Sequence, residues 1–154
     1  MEQIFDHALL RQRRQRAFKA AIKGADFLAA HVATDMAERL SLVERKFDNP
    51  VQLHGATTVT ADLMEATGKA GRFRFVADSE LDGLGGRDQI ITDAELAGLE
   101  ENSTDLVVSP LSLHLVNDTP GLMIQARRAL RPDGLFLAAV PGAGTLGELR
   151  QSLL

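Results

Sequence analysis

The chain has no cysteine, no tryptophan and no tyrosine among its 154 residues. Without cysteine there are no disulfides, no thiolate metal sites and no cysteine nucleophile. Without tryptophan and tyrosine there is no evident stacking platform for single-stranded nucleic acid, and the seven phenylalanines read as core. No uncharged apolar run is long enough for a spanning helix. The N-terminus has no apolar signal core, and Glu2 and Asp6 argue against reading its arginines as a transit peptide. The expected compartment is therefore the cytoplasm. A net charge of −4 gives no general case for nucleic-acid or membrane partners. What remains is a chain with a quarter of its residues charged, long enough for one domain with a real core.

Helix formers dominate residues 3–46, and Gly24 with Asp26 suggests a break between two helices. Phe5, Ala8 and Leu9 form one apolar stripe, and Phe27, Leu28, His31, Val32, Asp35 and Met36 share a helical spacing. Asn49-Pro50 ends this region. The period then changes. Strands are expected at 51–53, 72–77, 89–91, 104–109 and 135–140, alternating with helices at 58–67, 119–130 and from 146 onward. Asp93 is placed to cap a turn of helix after the third strand. Residues 82–86 are a glycine-rich loop and Pro132-Asp133-Gly134 a turn. The continuous apolar run Leu135–Val140 is of the kind found in parallel sheets. The pattern predicts an α/β doubly wound, Rossmann-like parallel sheet of order 3-2-1-4-5. The division is an N-terminal helical segment, 1–48, on an α/β domain, 49–154.

Ligands of open parallel sheets sit beyond the carboxyl ends of the strands. Ser109, Ser112, His114, Asn117 and Asp118 follow the fourth strand and would lie there. His114 has two readings, a general base or a loop histidine packed on the N-terminal helices. Asn117 and Asp118 are suited to capping the next helix, and Asp105 to capping a neighbouring loop. An acid after the second strand, Asp78, suits the hydroxyls of a ribose. Arg11, Arg13, Arg14, Arg16, Lys19 and Lys23 read as a solvated helix face, with a phosphate-binding arm as the alternative.

Ser103–Asp118, the Ala129–Gly134 turn with the Leu135–Val140 strand, Thr145–Arg150 and the Phe5-Asp6 start with its arginines resemble the class I S-adenosylmethionine-dependent methyltransferases. The likeness is to the branch of the malonyl-acyl-carrier-protein methyltransferase and the mitochondrial complex I assembly factor that hydroxylates an arginine. The resemblance implies S-adenosylmethionine as cofactor, with Gly55, Asp78, Asp93 and Ser109 around it. It places Asp78 on the ribose, Asp93 near the adenine, and the segment from Ser112 to His114 on the substrate side. His114 is the candidate catalytic residue, and no metal site is expected.

The first strand and its loop depart from that pattern. Gln52 stands for the usual acid, and His54, Ala56 and Thr58 for three usual glycines, leaving Gly55. Each added side chain takes space that a ligand needs. Two functions follow. One is methyl transfer to a protein or acyl carrier, which needs a positioned substrate more than a catalytic group. The other is a non-catalytic scaffold in complex I assembly. The resemblance implies two further antiparallel strands after the fifth, so either the chain is a fragment or the open edge is covered by another copy or a different partner.

Overall fold

The computed structural model describes residues 3–20, 22–81 and 83–153. Glu2, Asp82 and Leu154, which entered the expectations above, lie outside the described residues. Five strands, β1 (Pro50–Leu53), β2 (Arg74–Ala77), β3 (Gln89–Ile91), β4 (Thr104–Pro110) and β5 (Leu130–Ala139), form one sheet in the order 3-2-1-4-5. Every pairing is parallel, as expected. Around the sheet lie α1 (His7–Ala20), α2 (Phe27–Ser41), α3 (Val59–Ala66), α4 (Thr119–Ala129) and α5 (Gly147–Ser152).

The period-2 alternation of the strands splits the core between the two faces. Phe75, Leu106 and Val108 pack with Met36, Ala37 and Leu40 of α2 and Met64 of α3. Val51, Leu53, Val76 and Val107 pack on the other face with Leu122 and Ala126 of α4. Burial on both faces is why these strands read as continuous apolar runs. Asp105 does what its place suggests. Its carboxylate accepts the N–H groups of Asp48 and Asn49 at 2.8 and 3.0 Å, fixing the entry to β1.

Several expectations are corrected. The helices do not fill 3–46, because α2 ends at Ser41 and residues 42–46 are non-helical. The buried face of α2 is Ala33, Met36, Ala37 and Leu40. Phe27, Leu28, His31 and Asp35 face solvent instead. Ala8 and Leu9 are exposed, and Phe5, His7 and Leu10 turn inward. Not all phenylalanines are core, since Phe27 is 73% exposed. Asp93 caps a single turn, Glu95 N–H to its Oδ1 at 2.9 Å, and no helix follows. Arg72 and Phe73 precede β2, and Val140 lies beyond β5.

The expected turn Pro132–Gly134 is absorbed into β5. Leu130 pairs with Thr104 and Leu135 with Leu106, so the intervening residues bulge out, with Asp133 at φ +63°. At the carboxyl ends of the two central strands, His54 and Leu111 also hold positive φ, 49° and 53°. Non-glycine residues in this region are uncommon, and strain of this sort gathers at functional sites.

Candidate functional site

The carboxyl ends of β1, β2 and β4, with the loop after β3, form the region where a ligand of this architecture sits. Asp78 follows β2 directly and its side chain is almost fully buried. Its carboxylate does not face an open cleft. Arg11 Nε lies 3.5 Å from Oδ2 and Arg14 Nη1 3.6 Å from Oδ1, so two guanidiniums of α1 pair with it. These two arginines therefore differ from the solvated face expected of the basic helix. Alternate turns of a helix present one face, and the pair at i and i+3 points to the sheet.

A second set of contacts holds α1 in place. Asn117 Oδ1 accepts the backbone N–H groups of Ile4 and Phe5, each at 2.8 Å, and its Nδ2 donates to the Phe5 carbonyl at 3.2 Å. Glu95, in the loop after β3, accepts from Asn117 N and Nδ2 and from Asp118 N, at 2.8, 2.9 and 2.9 Å. His7 Nε2 reaches the same carboxylate at 2.5 Å. Burial alone would raise the Glu95 pKa. The donors from Asp118, Asn117 and His7 outweigh it and bring it down to about 2. Asn117 is thus a hub for the N-terminal segment rather than a cap. Asp118 does cap α4, accepting Gly121 N–H at 2.9 Å.

The loop after β1 is filled by its own side chains. Gln52 is fully buried. Its Nε2 donates to the Thr57 carbonyl at 2.8 Å, and its Oε1 has no protein partner. A Cβ on Gly55 would meet that Nε2 at 2.3 Å and Pro110 Cγ at 3.0 Å. The one retained glycine therefore offers no open space on that side. His54 is 4% exposed, and its Nε2 donates to the Leu96 carbonyl at 2.9 Å. This bond ties the β1 loop to the β3 loop. Burial lowers the His54 pKa, despite the opposing Leu96 bond and the Asp78 charge, so the ring is neutral. With Nε2 donating, Nδ1 keeps its lone pair, and it too has no partner.

Ser109 and Ser112 are buried and bonded to each other at 2.8 Å, and Ser112 donates to the Leu53 carbonyl at 2.9 Å. They lock the β4 loop onto β1. His114 is half-buried, and desolvation, then the Arg14 charge, lower its pKa. It stands within electrostatic reach of α1, and its Nδ1 has no partner.

The structure thus brings His54, Asp78 and His114 together around Arg14. Asp93 is exposed and engaged in its own turn, and its charge still reaches His54. Glu95 escaped sequence reasoning, because a loop glutamate carries no motif. The Arg11–Arg14 spacing was visible, but its partner was not. The cofactor implied by the resemblance does not fit these side chains as they stand. The ribose acid is paired, His54 fills the loop, and Gln52 closes Gly55, so no chemical step is derived through it. Two shallow clefts lie at the opposite, amino-terminal end of the strands, around Asp48, Arg72 and Asp88, and around Asn102, Arg128 and Asp133.

A family model described as a methyltransferase domain matches residues 49–138. The mitochondrial arginine-hydroxylase NDUFAF5 of Danio rerio is 52% identical over 54 residues, 35% of this chain and 17% of that protein. The malonyl-[acyl-carrier protein] O-methyltransferase of Gallionella capsiferriformans is 39% identical over 54 residues, 35% of this chain and 19% of that protein. The match thus spans less than a fifth of either relative. Among solved structures, a chain of the Haloferax volcanii complex with the Trm112 methyltransferase activator superposes with a TM-score of 0.61 at 20% identity. It covers 83% of this chain and 59% of that one, a likeness of fold.

Proposed function

We propose, for a chain that belongs to the methyltransferase domain family of the class I S-adenosylmethionine-dependent superfamily, that it works as a binding platform for a protein partner. On this reading S-adenosylmethionine is held weakly or not at all. The observation that carries it is Asp78. The acid suited to a ribose is engaged by Arg11 and Arg14 of the same chain. The filled β1 loop supports it from the other side. The NDUFAF5 relatives and the resemblance to a complex I assembly factor favour a respiratory-chain protein as the partner.

The test is titration calorimetry of the chain with S-adenosylmethionine. A dissociation constant above roughly 100 μM is expected, equivalent to less than about 5.5 kcal/mol. Low-micromolar binding would overturn this reading.

Such binding would favour a second reading, methyl transfer to a protein or an acyl carrier. Asp78 at the end of β2 supports it, with His114 as the candidate base and Ser109 beside the cofactor. No helix is long and apolar enough to cross a membrane among the described residues. The cytoplasm is our proposed compartment, although the NDUFAF5 relatives are named as mitochondrial. Fractionation of cells expressing the chain separates the two.

A further inference from the structure

The two ends of α1 differ. Near its start, Leu10, Arg11 and Arg14 turn inward against the domain. From Gln15 to Leu28, each residue whose exposure is described faces solvent, on both α1 and the first turn of α2. The two helices meet at Gly24, where φ is +79°. At 1.5 Å per residue, the end of α1 stands about 10 Å beyond Arg14. The tip carries Ile22, 70% exposed, Phe27, 73%, and Leu28, 50%. Large apolar side chains so exposed at one turn mark a contact surface. Beside them Arg13, Arg16, Lys19 and Lys23 point outward. Beyond the Arg11 and Arg14 pair on Asp78, residues 12–28 hold four exposed basic residues against one acid, Asp26, whereas the whole chain carries −4.

We propose that this helix–turn–helix segment docks on an anionic phospholipid surface, with Ile22, Phe27 and Leu28 entering the headgroup region and the exposed Arg13, Arg16, Lys19 and Lys23 meeting lipid phosphates. Charge separation orients the molecule. The basic segment is drawn to the negative leaflet, and the acidic remainder is held away from it. Lysine stems lie along apolar surface while their ammonium groups reach the polar layer, so Lys19 and Lys23 suit positions beside a buried tip. A deformable lipid surface accepts exposed side chains without a preformed groove. Nucleic acid is disfavoured, because the apolar residues sit at the leading point where phosphates would stand.

The experiment is co-sedimentation of the full chain with vesicles of phosphatidylcholine alone and with added phosphatidylglycerol. Binding is expected only with the anionic vesicles, and it should weaken as salt is raised. Lys19→Gln with Lys23→Gln should lower the partition coefficient by about tenfold or more. Ile22→Ser with Phe27→Ser should lower it at least as much, through lost apolar insertion. All four positions are exposed, so melting temperature and circular dichroism should match the parent. Equal binding to neutral and anionic vesicles would overturn the proposal. So would anionic binding that neither pair changes, or capture on duplex DNA or an acidic protein without vesicle binding.

Discussion

Glu95 accepts both the backbone N–H and the side-chain amide of Asn117, at 2.8 and 2.9 Å. Asn117 in turn holds the backbone of Ile4 and Phe5. One loop carboxylate therefore anchors the N-terminal segment across the carboxyl ends of the strands, and α1 carries Arg11 and Arg14 onto Asp78 as a result.

Removing that anchor's charge should be felt in stability. The Glu95 pKa is lowered from 4.5 to about 2 in the folded protein. A depressed carboxylate contributes stability that is fully present above its unfolded pKa and is lost as pH falls from about 4.5 toward 2. Its size is of order 2–3 kcal/mol. Glu95→Gln should lower stability at neutral pH by about that amount and flatten the acid limb of the profile. Urea unfolding of both proteins between neutral and acid pH measures it.

His54 and His114 work in the same direction at a higher pH. Both have pKa values lowered from 6.5, chiefly by burial. The unfolded chain takes up their protons first, so their contribution is present above 6.5 and declines as pH falls below it. His54→Asn and His114→Asn should each reduce the dependence of melting temperature on pH just below that point. Differential scanning calorimetry across this interval reads the change.

The cleft should open when its own occupants are removed. Arg11→Ala and Arg14→Ala free Asp78, and His54→Gly empties the β1 loop at a position whose φ of 49° suits glycine. The triple variant should bind S-adenosylmethionine at least about tenfold more tightly than the parent, a change of roughly 1.4 kcal/mol. Weaker binding by the variant would mean that these side chains contact the ligand rather than displace it. Calorimetric titration of the two proteins in one buffer makes the comparison.

Asp105 offers a test of the frame that positions the site. It satisfies two backbone N–H groups at the entry to β1. Asp105→Ala should destabilise the fold by about 1–3 kcal/mol, with two donors left unpaired. Chemical denaturation measures it directly.

Among the described residues β5 is paired on one side only, by β4. An open strand edge tends to find another chain. Where no further strand of the same protein covers it, a homodimer or a different partner docked along this edge is expected, burying at least roughly 1,000 Å² in total. Sedimentation velocity at micromolar concentration should show it, and a monomer there would contradict it. Leu137 is half-buried, so Leu137→Glu should separate the protomers, with circular dichroism distinguishing dissociation from unfolding.

The order and parallel sense of the strands could be read from the sequence, because strand and helix periods alternate and right-handed crossovers leave few arrangements. The role of Asp118 was legible because N-capping is local, set by a side chain and the backbone of the next turn. Asp105 was legible only as a strand-start acid, its partners lying 56 and 57 residues away. The departure at Gln52, His54, Ala56 and Thr58 was visible as residue types, and so was the doubt it casts on a ligand. What fills the resulting space was not. Gln52 under Gly55, His54 on the Leu96 carbonyl and the arginine pair on Asp78 are contacts between residues distant in the chain or turned by a single dihedral. Helical periodicity likewise put Phe27 and Leu28 on a common stripe with Met36, but it carries no information on what lies opposite. The sheet and α3 meet the Ala33, Met36, Ala37 and Leu40 face of α2, and Phe27 and Leu28 were left to solvent. Period and local chemistry thus determined the elements and their caps. Packing decided which faces and charges met.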